Sequence, residues 1–506
     1  MEGDSSDNSP IFERKAYAAL KEWKERSKGS TAILVEGARR VGKSTLVEEF
    51  ARKEYHSYVL IDFSEENKQI NALFDDLSDV DRLLRGLQLL TGVEFRERDT
   101  AIIFDEVQRF PRARESIRAL IRDGRYDYIE IGSLISIRKN VKDIRIPSEE
   151  ERLKLHPMDF EEFLWACGNH SYRMLEQDLD GRKPLPDSIH HKMMVRFNEY
   201  VAVGGMPQAV RSFVGGRSYQ EIDRVKRDII GLYIDDFRKI DPTGSLGLYF
   251  MSIPSELSRQ SMRFRIKGKS MRREIGRISE MADSQTVQRS MHVDDPRIGL
   301  PMTQELEFFK LYLEDTGLFV TLCFYDRDFS YNWIYSSLVR GRLPANLGSV
   351  YENAVAQALT AAGYKLFYHT FPKKDSKHNY EVDFLIPSGK KVCPIEVKSS
   401  SVSSHASLDA FIERHKTDVD RGIVVSGKNL REENGIVYLP IYMTCLIGRL
   451  MRRRYGQLKG PGSQLAFIFH GECDYYRSEV SDPGNVMTRI MSCQSVSEGF
   501  RPQHQR

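Results

Sequence analysis

The sequence has few cysteines, no long hydrophobic run and little net charge, and each of these absences narrows the class of protein. Its six cysteines form no C-x-x-C pair, which argues against a zinc knuckle and against a disulfide framework. No run of eighteen apolar residues occurs, and residues 1–10 are acidic and polar, so neither a membrane span nor a signal peptide is expected. We therefore expect a cytoplasmic protein with no membrane partner.

The composition is that of a folded chain with more than one domain. Of the 506 residues, 41% are hydrophobic and 29% are charged, which excludes a disordered chain. A chain of this length exceeds one hydrophobic core, so several domains are expected. The net charge of +3 is too small to identify a partner by itself.

Residues 37–44 form the pattern G-x-x-x-x-G-K-S between the apolar run 32–35 and the amphipathic stretch 45–53. In a P-loop, glycines let backbone N–H groups surround a polyphosphate, the lysine reaches the β and γ phosphates, and the hydroxyl after it binds Mg²⁺. A chance match is the alternative, which the flanking strand and helix disfavour. The expected nucleotide-binding residues are Gly37, Ala38, Arg39, Arg40, Val41, Gly42, Lys43, Ser44 and Thr45.

A second apolar run, 101–104, leads directly into Asp105 and Glu106. This pattern is typical of a Walker B strand, in which Asp105 would hold Mg²⁺ through water and Glu106 would orient or deprotonate the attacking water. An acidic pair at a strand end can also be a helix N-cap, but its pairing with a P-loop favours the catalytic interpretation. ATP and Mg²⁺ are the expected ligands, with Lys43 and Glu106 as catalytic residues.

Predicted strands and helices alternate around these motifs. Residues 58–63 are a short apolar strand, residues 71–91 are a leucine-rich helix, and residues 126–133 are a strand that ends in Gly-Ser. Such alternation builds a parallel sheet covered by helices. Ser133, at the end of the last strand, is the candidate residue for sensing the γ-phosphate.

The next part of the chain is predicted to be largely helical. Asp159 is the expected N-cap of a helix that opens a helical lid. A helix over 189–203 stops at the Gly-Gly-Met-Pro sequence of residues 204–207, which also bends the chain. Residues 244–325 combine short helices with a strand at 308–312, an order consistent with a small winged-helix module.

Eight basic residues and one acid lie between positions 259 and 277. Such a patch suits a phosphate backbone, although a solvated helical face is an equally good interpretation. The basic residues are Arg259, Arg263, Arg265, Lys267, Lys269, Arg272, Arg273 and Arg277.

A second set of charged residues lies on a predicted hairpin near the C-terminus. Residues 380–386 and 392–397 are predicted strands joined by a Pro-Ser-Gly-Lys turn. The hairpin would bring Asp383 close to Glu396 and Lys398, because period-two alternation puts the last two side chains on one face of their strand.

These residues have the chemistry of a metal-dependent nuclease. Asp383 and Glu396 are expected to hold Mg²⁺, supplemented by Glu352 from a predicted helix over 350–362. Lys398 would orient a water molecule or stabilise a pentacoordinate phosphorane. A surface hairpin with ordinary charges is the alternative, which the upstream helix disfavours.

Taken together, the motifs resemble the bacterial and archaeal AAA-type ATPases of the P-loop superfamily that carry a C-terminal PD-(D/E)xK nuclease-like domain of unknown function. The resemblance extends from about residue 13 to residue 450. The matching segments are residues 37–44, 104–111, 204–207, 309–312, 315–318, 348–353, 381–384 and 395–398.

The resemblance implies an α/β protein with four parts. They are a P-loop NTPase core with a parallel sheet at 13–165, a helical lid at 166–243, a winged-helix-like module at 244–335 and a mixed α/β nuclease-like domain at 336–450. The tail at 451–506 contains Gly-Pro-Gly-Ser at 460–463, which resembles an expression-vector scar or an out-of-frame extension, and no function is expected of it.

Two classes of function stay open. In the first, ATP hydrolysis loads DNA or RNA into the nuclease-like site. In the second, ATP acts as a switch, and the C-terminal domain recognises nucleic acid or protein without cutting it. No arginine finger is identified, so an oligomer in which a neighbouring subunit supplies one also stays open.

Overall fold

A computed structural model describes residues 11–132, 149–259, 262–266, 269–297, 299–326, 333–340, 348–374, 376–399 and 405–452. Ser133, the predicted γ-phosphate sensor, and the tail from residue 453 lie outside these residues. In the part of the chain that is described, no helix is long and apolar enough to cross a membrane.

The first sheet is the predicted parallel sheet of a P-loop NTPase fold. Its five strands are all parallel and have the spatial order β2-β3-β4-β1-β5. Strands buried on both faces are near-continuous apolar runs, and in β1 the side chains of Leu34 and Val35 pack into separate cores on opposite faces. The strands are β1 Ala32–Glu36, β2 Ser57–Asp62, β3 Thr100–Asp105, β4 Asp127–Gly132 and β5 Glu150–Lys154.

Helices surround this sheet, and one of them was predicted wrongly. The single helix expected over 71–91 is two helices, because Phe74 turns into the core and Asp79 caps a new helix by accepting a hydrogen bond from Arg82 N. The helices are α1 Lys15–Ser27, α2 Lys43–Glu54, α3 Lys68–Leu73, α4 Val80–Thr91 and α5 Pro111–Asp123.

A helical region follows, as predicted. Asp159 is the N-cap of α6 and forms a capping box with Glu162, which confirms the predicted start of this helix. The helices are α6 Phe160–Ala166, α7 Leu175–Gly181, α8 Asp187–Val203, α9 Pro207–Val214, α10 Tyr219–Ile240, α11 Ser245–Ser258 and α12 Met271–Asp283.

The second sheet is mixed and has eight strands in the order β12-β13-β11-β10-β9-β8-β6-β7. The predicted hairpin near the C-terminus is confirmed as the antiparallel pair β9 and β10. The strands are β6 Val287–Val293, β7 Gln304–Leu313, β8 Phe367–Pro372, β9 Asn379–Ser388, β10 Lys391–Lys398, β11 Gly422–Ser426, β12 Arg431–Glu433 and β13 Ile436–Pro440. The remaining helices are α13 Thr316–Cys323, α14 Trp333–Val339, α15 Gly348–Ala361, α16 Ala406–Arg414 and α17 Ile447–Arg452.

The hairpin of β6 and β7 extends the C-terminal sheet. β6 pairs antiparallel with β7 and parallel with β8, where His292 lies opposite Tyr368. Two helices followed by a hairpin are the order of a winged helix, but here the hairpin belongs to the large sheet. The winged-helix interpretation and the four domain boundaries therefore stay predictions.

A close backbone contact joins the helical region to the second sheet. Gly204 and Gly205 follow α8, and the Asp315 carboxylate, between β7 and α13, accepts a hydrogen bond of 2.6 Å from Gly205 N. Gly205 O in turn accepts a hydrogen bond of 2.8 Å from Met158 N. A Cβ atom on Gly205 would lie 2.0 Å from Met158 O, and one on Gly317 would lie 2.5 Å from Gly204 Cα. A side chain at Gly205 or Gly317 would therefore collide with the backbone, and only glycine fits at these positions.

We predict that Gly205→Ala destabilises the protein by about 2 to 4 kcal/mol, because the added methyl group collides with a backbone carbonyl that cannot rotate away. Gly231→Ala is the matched control. Gly231 lies inside α10, and a Cβ atom added there would have nothing within 4 Å. The free energy of unfolding of this variant should therefore rise by up to about 1 kcal/mol. Thermal unfolding followed by circular dichroism measures both, and equal melting temperatures for the two variants would contradict the prediction.

Candidate functional site

The predicted P-loop connects the buried strand β1 to helix α2. Gly42 is in the left-handed region with φ of 96°, which only glycine adopts readily, and it precedes the first residue of the helix. Gly37 lies against the residue that follows β5, because a Cβ atom there would be 2.4 Å from Leu155 O. The two glycines thus fix the path of the loop. Ala38 and Val41 are buried, whereas Arg39, Arg40 and Thr45 are exposed.

Lys43 folds back over its own loop. Its Nζ donates hydrogen bonds of 3.0 Å to Gly37 O and to Ala38 O. Burial lowers the pKa of Lys43, and the nearby carboxylates of Glu106 and Asp105 act in the opposite direction. The ammonium group is therefore held at the loop by weak carbonyl acceptors, which an anionic phosphate can outcompete.

The end of β3 places both predicted Walker B residues beside α2. Ser44 Oγ donates a hydrogen bond of 2.6 Å to Asp105 Oδ2, and Glu106 N donates one of 2.7 Å to Asp105 Oδ1. Burial raises the pKa of Asp105 and of Glu106, and the charge of Asp105 raises the pKa of Glu106 further. A bound cation would relieve both effects.

Gln108 is a site residue to which the sequence analysis assigned no role. It lies on a 3₁₀ turn just after β3, is buried, and donates a hydrogen bond of 2.5 Å from Nε2 to Glu106 Oε2. Glu106 itself has φ of 51°, a left-handed conformation that is uncommon for a residue with a side chain. Gln108 therefore fixes the orientation of the expected catalytic carboxylate, and its position two residues after Glu106 was the available signal.

Two further elements contact the loop from outside the sheet. Arg14, just before α1, donates hydrogen bonds of 3.1 Å from Nη1 to Val41 O and 2.6 Å from Nη2 to His156 O. From α10, the hydroxyl of Tyr233 donates a hydrogen bond of 3.0 Å to Arg39 O, and Asp236 forms an ion pair of 3.1 Å with the Arg39 guanidinium. The loop conformation is thus linked to the helical region.

The residues present fit a nucleoside triphosphate with Mg²⁺. The first backbone hydrogen bond of α2 runs from Leu46 N to Gly42 O, so the N–H groups of Lys43, Ser44 and Thr45 have no acceptor within the helix and lie at its positive end. Hydroxyl and carboxylate oxygens from Ser44 and Asp105 are the hard donors that Mg²⁺ prefers.

The second predicted site is also assembled, on β9, β10 and α15. Asp383 Oδ2 accepts a hydrogen bond of 2.7 Å from Val397 N, which fixes it beside the end of β10. Lys398 Nζ lies 2.5 Å from Glu396 Oε1, and Glu396 Oε2 accepts a hydrogen bond of 3.1 Å from Leu408 N. The carboxyl of Glu352 interacts electrostatically with both Asp383 and Lys398.

A buried lysine that the sequence analysis did not select lies among these carboxylates. Lys310 on β7 is buried, and its Nζ is 2.5 Å from Glu381 Oε1 and 4.0 Å from Glu352 Oε2. Tyr312, two residues later, donates a hydrogen bond of 3.3 Å to Glu352. A lysine within the apolar stretch Phe-Phe-Lys-Leu-Tyr-Leu was the available signal, because such a residue is rarely buried without a partner.

Lys310 balances part of the negative charge in this acidic cluster. Burial opposes the ammonium form of Lys310, but Glu381, Tyr312 and Glu352 together hold its pKa well above the usual value. Burial raises the pKa of Glu352 and of Asp383, and the mutual repulsion of these two carboxylates raises the pKa of Asp383 further. The cluster can therefore lower its energy by gaining a proton or a cation.

Residues 312–316, which end β7 and begin α13, contact both sites. Leu313 N donates a hydrogen bond of 2.8 Å to Asn353 Oδ1, next to Glu352. On the opposite side, Glu314 lies 2.5 Å from His156, whose backbone oxygen binds Arg14. These five residues thus link the acidic cluster to the P-loop, on the P-loop side through His156 and Arg14.

An α/β domain with a P-loop, a Walker B strand and a hydroxyl–carboxylate pair between them belongs to the class of P-loop nucleotide-binding proteins. In agreement, residues 29–164 match the family described as AAA domain. Residues 194–328 and 347–444 match two families described only as domains of unknown function, DUF8612 and DUF4143. Residues 29–164 are therefore similar to an AAA domain, and the regions after them match families that have no described activity.

Comparison with curated proteins finds no match. Among solved structures, similarity is found to the Walker-type ATPase PABY2304 of Pyrococcus abyssi, with 14% identity, a TM-score of 0.36 and coverage of 62% of this chain and 96% of that one. PCH-2 of C. elegans shows 15% identity, a TM-score of 0.22 and coverage of 38% and 58%. Neither similarity is close enough to support an argument about function.

We predict that Lys310→Gln makes the protein depend on a divalent cation. Removing the ammonium group takes the nearest positive charge from the partly buried carboxylates of Glu352 and Glu381, at a cost of at most the about 3 to 5 kcal/mol of a fully buried pair. Millimolar Mn²⁺ or Mg²⁺ should restore part of this stability, because the cation takes the place of the lysine. The measurement is the melting temperature with and without the cation.

Lys390→Gln is the control for charge alone, because Lys390 is exposed in the turn between β9 and β10. Its melting temperature should change little and should respond to the cations as the wild type does. If Lys310→Gln has the wild-type melting temperature in the presence of a chelator, the lysine is not the counter-ion of the cluster.

Proposed function

We propose that the chain is a Mg²⁺-dependent ATPase whose nucleotide cycle controls a nuclease-like, nucleic-acid-binding C-terminal domain. The observation that carries the ATPase part is the hydrogen bond of 2.6 Å between Ser44 and Asp105, with Lys43 and Glu106 beside it. These four groups supply the separate functions that phosphoryl transfer to water requires of a P-loop enzyme.

Each of the four groups has a defined task in this proposal. The Lys43 ammonium leaves its carbonyl acceptors and neutralises charge on the β and γ phosphates. Ser44 and Asp105 supply oxygen ligands for Mg²⁺, which when bound neutralises the phosphates and polarises the bond to be broken. Glu106, oriented by Gln108, accepts a proton from the attacking water.

The proposed control of the C-terminal domain rests on contacts around the P-loop. Phosphate binding would change the position of Lys43 and of the loop carbonyls, and Arg39 in that loop is bound by Tyr233 and Asp236 of α10. Residues 312–316 offer a second route, since they reach His156 on one side and Asn353 on the other.

A nucleic acid is the proposed ligand of the C-terminal domain. Metal-assisted phosphodiester cleavage by Glu352, Asp383, Glu396 and Lys398 would suit the arrangement of the hairpin. Of the predicted basic run, Arg259 and Arg277 pair with glutamates of their own helices, and Lys267 lies outside the described residues. Lys269 lies 3.9 Å from Glu274 and donates a hydrogen bond to Tyr249, so the exposed residues left for a phosphate backbone are Arg265, Arg272 and Arg273.

The second candidate is an ATP-dependent switch whose C-terminal domain recognises a ligand without cutting it. Lys310 favours this alternative, because its ammonium group already compensates the carboxylates that a nuclease uses to hold Mg²⁺. In addition, Asp383 and Glu396 each spend one carboxylate oxygen on a backbone N–H group.

For the ATPase, we predict that the purified full-length chain releases phosphate from ATP with Mg²⁺. Glu106→Gln should lower kcat by about 100-fold or more and retain ATP binding, because it removes the general base and keeps the phosphate contacts. Lys43→Ala should lose ATP binding as well. Phosphate release and binding of a fluorescent ATP analogue are the two measurements.

Glu48→Gln is the matched control, since Glu48 is an exposed carboxylate on α2. It should hydrolyse ATP at the wild-type rate. An unchanged rate in Lys43→Ala would contradict the assignment of the P-loop as the hydrolysing site.

For the C-terminal domain, we predict that plasmid and single-stranded DNA or RNA are cut in the presence of Mg²⁺ or Mn²⁺ and that Asp383→Asn abolishes the cutting. The reason is that Asp383 supplies a metal ligand in this proposal. The asparagine removes the negative charge of that ligand and should leave the hairpin folded. Exposed Asp409 on α16 is changed to Asn as the control. Binding without cleavage by the wild type would instead support the switch.

A further inference from the structure

Three side chains that can bind a metal meet beside the loop that joins β6 to β7. His292 Nδ1 lies 3.7 Å from Glu305 Oε2 and 3.8 Å from Asp294 Oδ1. One donor atom of each side chain can be chosen so that all three lie within 4.8 Å of one another. Among the residues that the structure describes, no other group of three or more histidine, cysteine, aspartate or glutamate side chains has this spacing.

The local strand geometry explains why these residues meet. His292 and Glu305 are paired across the two strands, and a bulge between Met291 and His292 shifts the register there. Asp294 follows β6 directly and is held by a hydrogen bond of 3.1 Å from its N to Thr303 O. Bulges redirect a side chain at a functional position, and here the bulge directs the imidazole towards the two carboxylates.

His292 is the observation that distinguishes this cluster from an ordinary acidic surface. The residue is only 8% exposed, and its Nδ1 atom is buried without a hydrogen-bond partner. A buried polar atom of this kind costs about 1 to 3 kcal/mol unless it binds something. The two nearest polar groups are the carboxylates, and both are beyond hydrogen-bonding distance.

The other imidazole nitrogen is oriented as in known metal sites. Ligating histidines donate their second N–H to a nearby acceptor, and His292 Nε2 lies 3.0 Å from Thr370 Oγ1. In the tautomer with the proton on Nδ1, Thr370 N–H donates a hydrogen bond of 3.3 Å to this nitrogen instead. Metal binding at Nδ1 would select the tautomer that donates to the hydroxyl.

We propose that His292 Nδ1, Asp294 and Glu305 form a binding site for a first-row divalent cation, with Zn²⁺ preferred. One imidazole nitrogen and two carboxylate oxygens suit Zn²⁺ better than Mg²⁺ or Ca²⁺, which favour oxygen ligands alone. Tetrahedral Zn²⁺ with bonds of about 2.1 Å needs ligand atoms about 3.4 Å apart. The observed separations from Nδ1 exceed this by only a few tenths of an ångström.

The cation would have an open side and a structural effect. Asp294 is exposed and Glu305 is partly exposed, so water can complete the coordination. The three ligands lie on both strands and on the loop that joins them, so a bound cation would cross-link the tip of the hairpin. The site adjoins the acidic cluster, because the Tyr368 ring lies against both His292 and Lys310, but it shares no ligand with Glu352 and Asp383.

The test is Zn²⁺ titration of the full-length protein without nucleotide, in competition with a chromophoric chelator. The wild type should bind one equivalent of Zn²⁺ with higher affinity than any further equivalent. Loss of an outer partner costs about 10- to 100-fold in affinity at such sites, so Glu305→Gln and Asp294→Asn should weaken this equivalent by at least about 100-fold. Both variants change partly or fully exposed side chains and should fold.

Co²⁺ gives an independent readout of the same site. The wild type should show the visible absorption of tetrahedral Co²⁺ with a nitrogen ligand, and His292→Asn should lose it. Asp383→Asn, which alters only the acidic cluster, and Glu280→Gln, an exposed carboxylate on α12, should keep both the absorption and the tight equivalent. Equal Zn²⁺ affinity in the wild type and Glu305→Gln would overturn the proposal, as would loss of the tight equivalent in Asp383→Asn alone.

Discussion

The connection between the helical region and the second sheet depends on the buried carboxylate of Asp315. Its oxygens accept hydrogen bonds of 2.6 Å from Gly205 N and 2.8 Å from Leu318 N, so one side chain ends a turn in the helical region and begins α13. Lys226 compensates its charge from nearby, although burial lowers the pKa of this lysine to about 8. Breaking one partner of such a buried group costs several kcal/mol, and the contact is tight enough that only glycine fits beside it.

The two charged sites connected in this way are in different electrostatic states. In the P-loop, Lys43 is held by carbonyl oxygens, and Asp105 and Glu106 have raised pKa values, so the site gains most from a phosphate and a cation together. In the C-terminal cluster, Lys310 already occupies the position of a counter-charge. The first site is therefore prepared for its ligand, and the second can use its ligand only at the expense of an existing ion pair.

The sequence predicted the local elements well where a motif had a strict physical requirement. Gly42 and the apolar runs before residues 37 and 105 sufficed for the P-loop and the parallel sheet, and alternation sufficed for the β9–β10 hairpin. Helix 71–91 was wrong because its break depends on a tertiary contact of Phe74. Gln108, Lys310 and the cluster at His292 were missed for a similar reason, since their significance depends on neighbours more than 60 residues away or on a turn and a bulge that periodicity does not reveal.

Hydrogen–deuterium exchange with and without a non-hydrolysable ATP analogue and Mg²⁺ tests the central claim most directly. If the nucleotide state controls the C-terminal domain, the analogue should change protection in residues 37–45, in residues 312–316 and in α15, and Lys43→Ala should abolish all three changes. An analogue that binds the wild type and alters protection only within residues 29–164 would contradict the account.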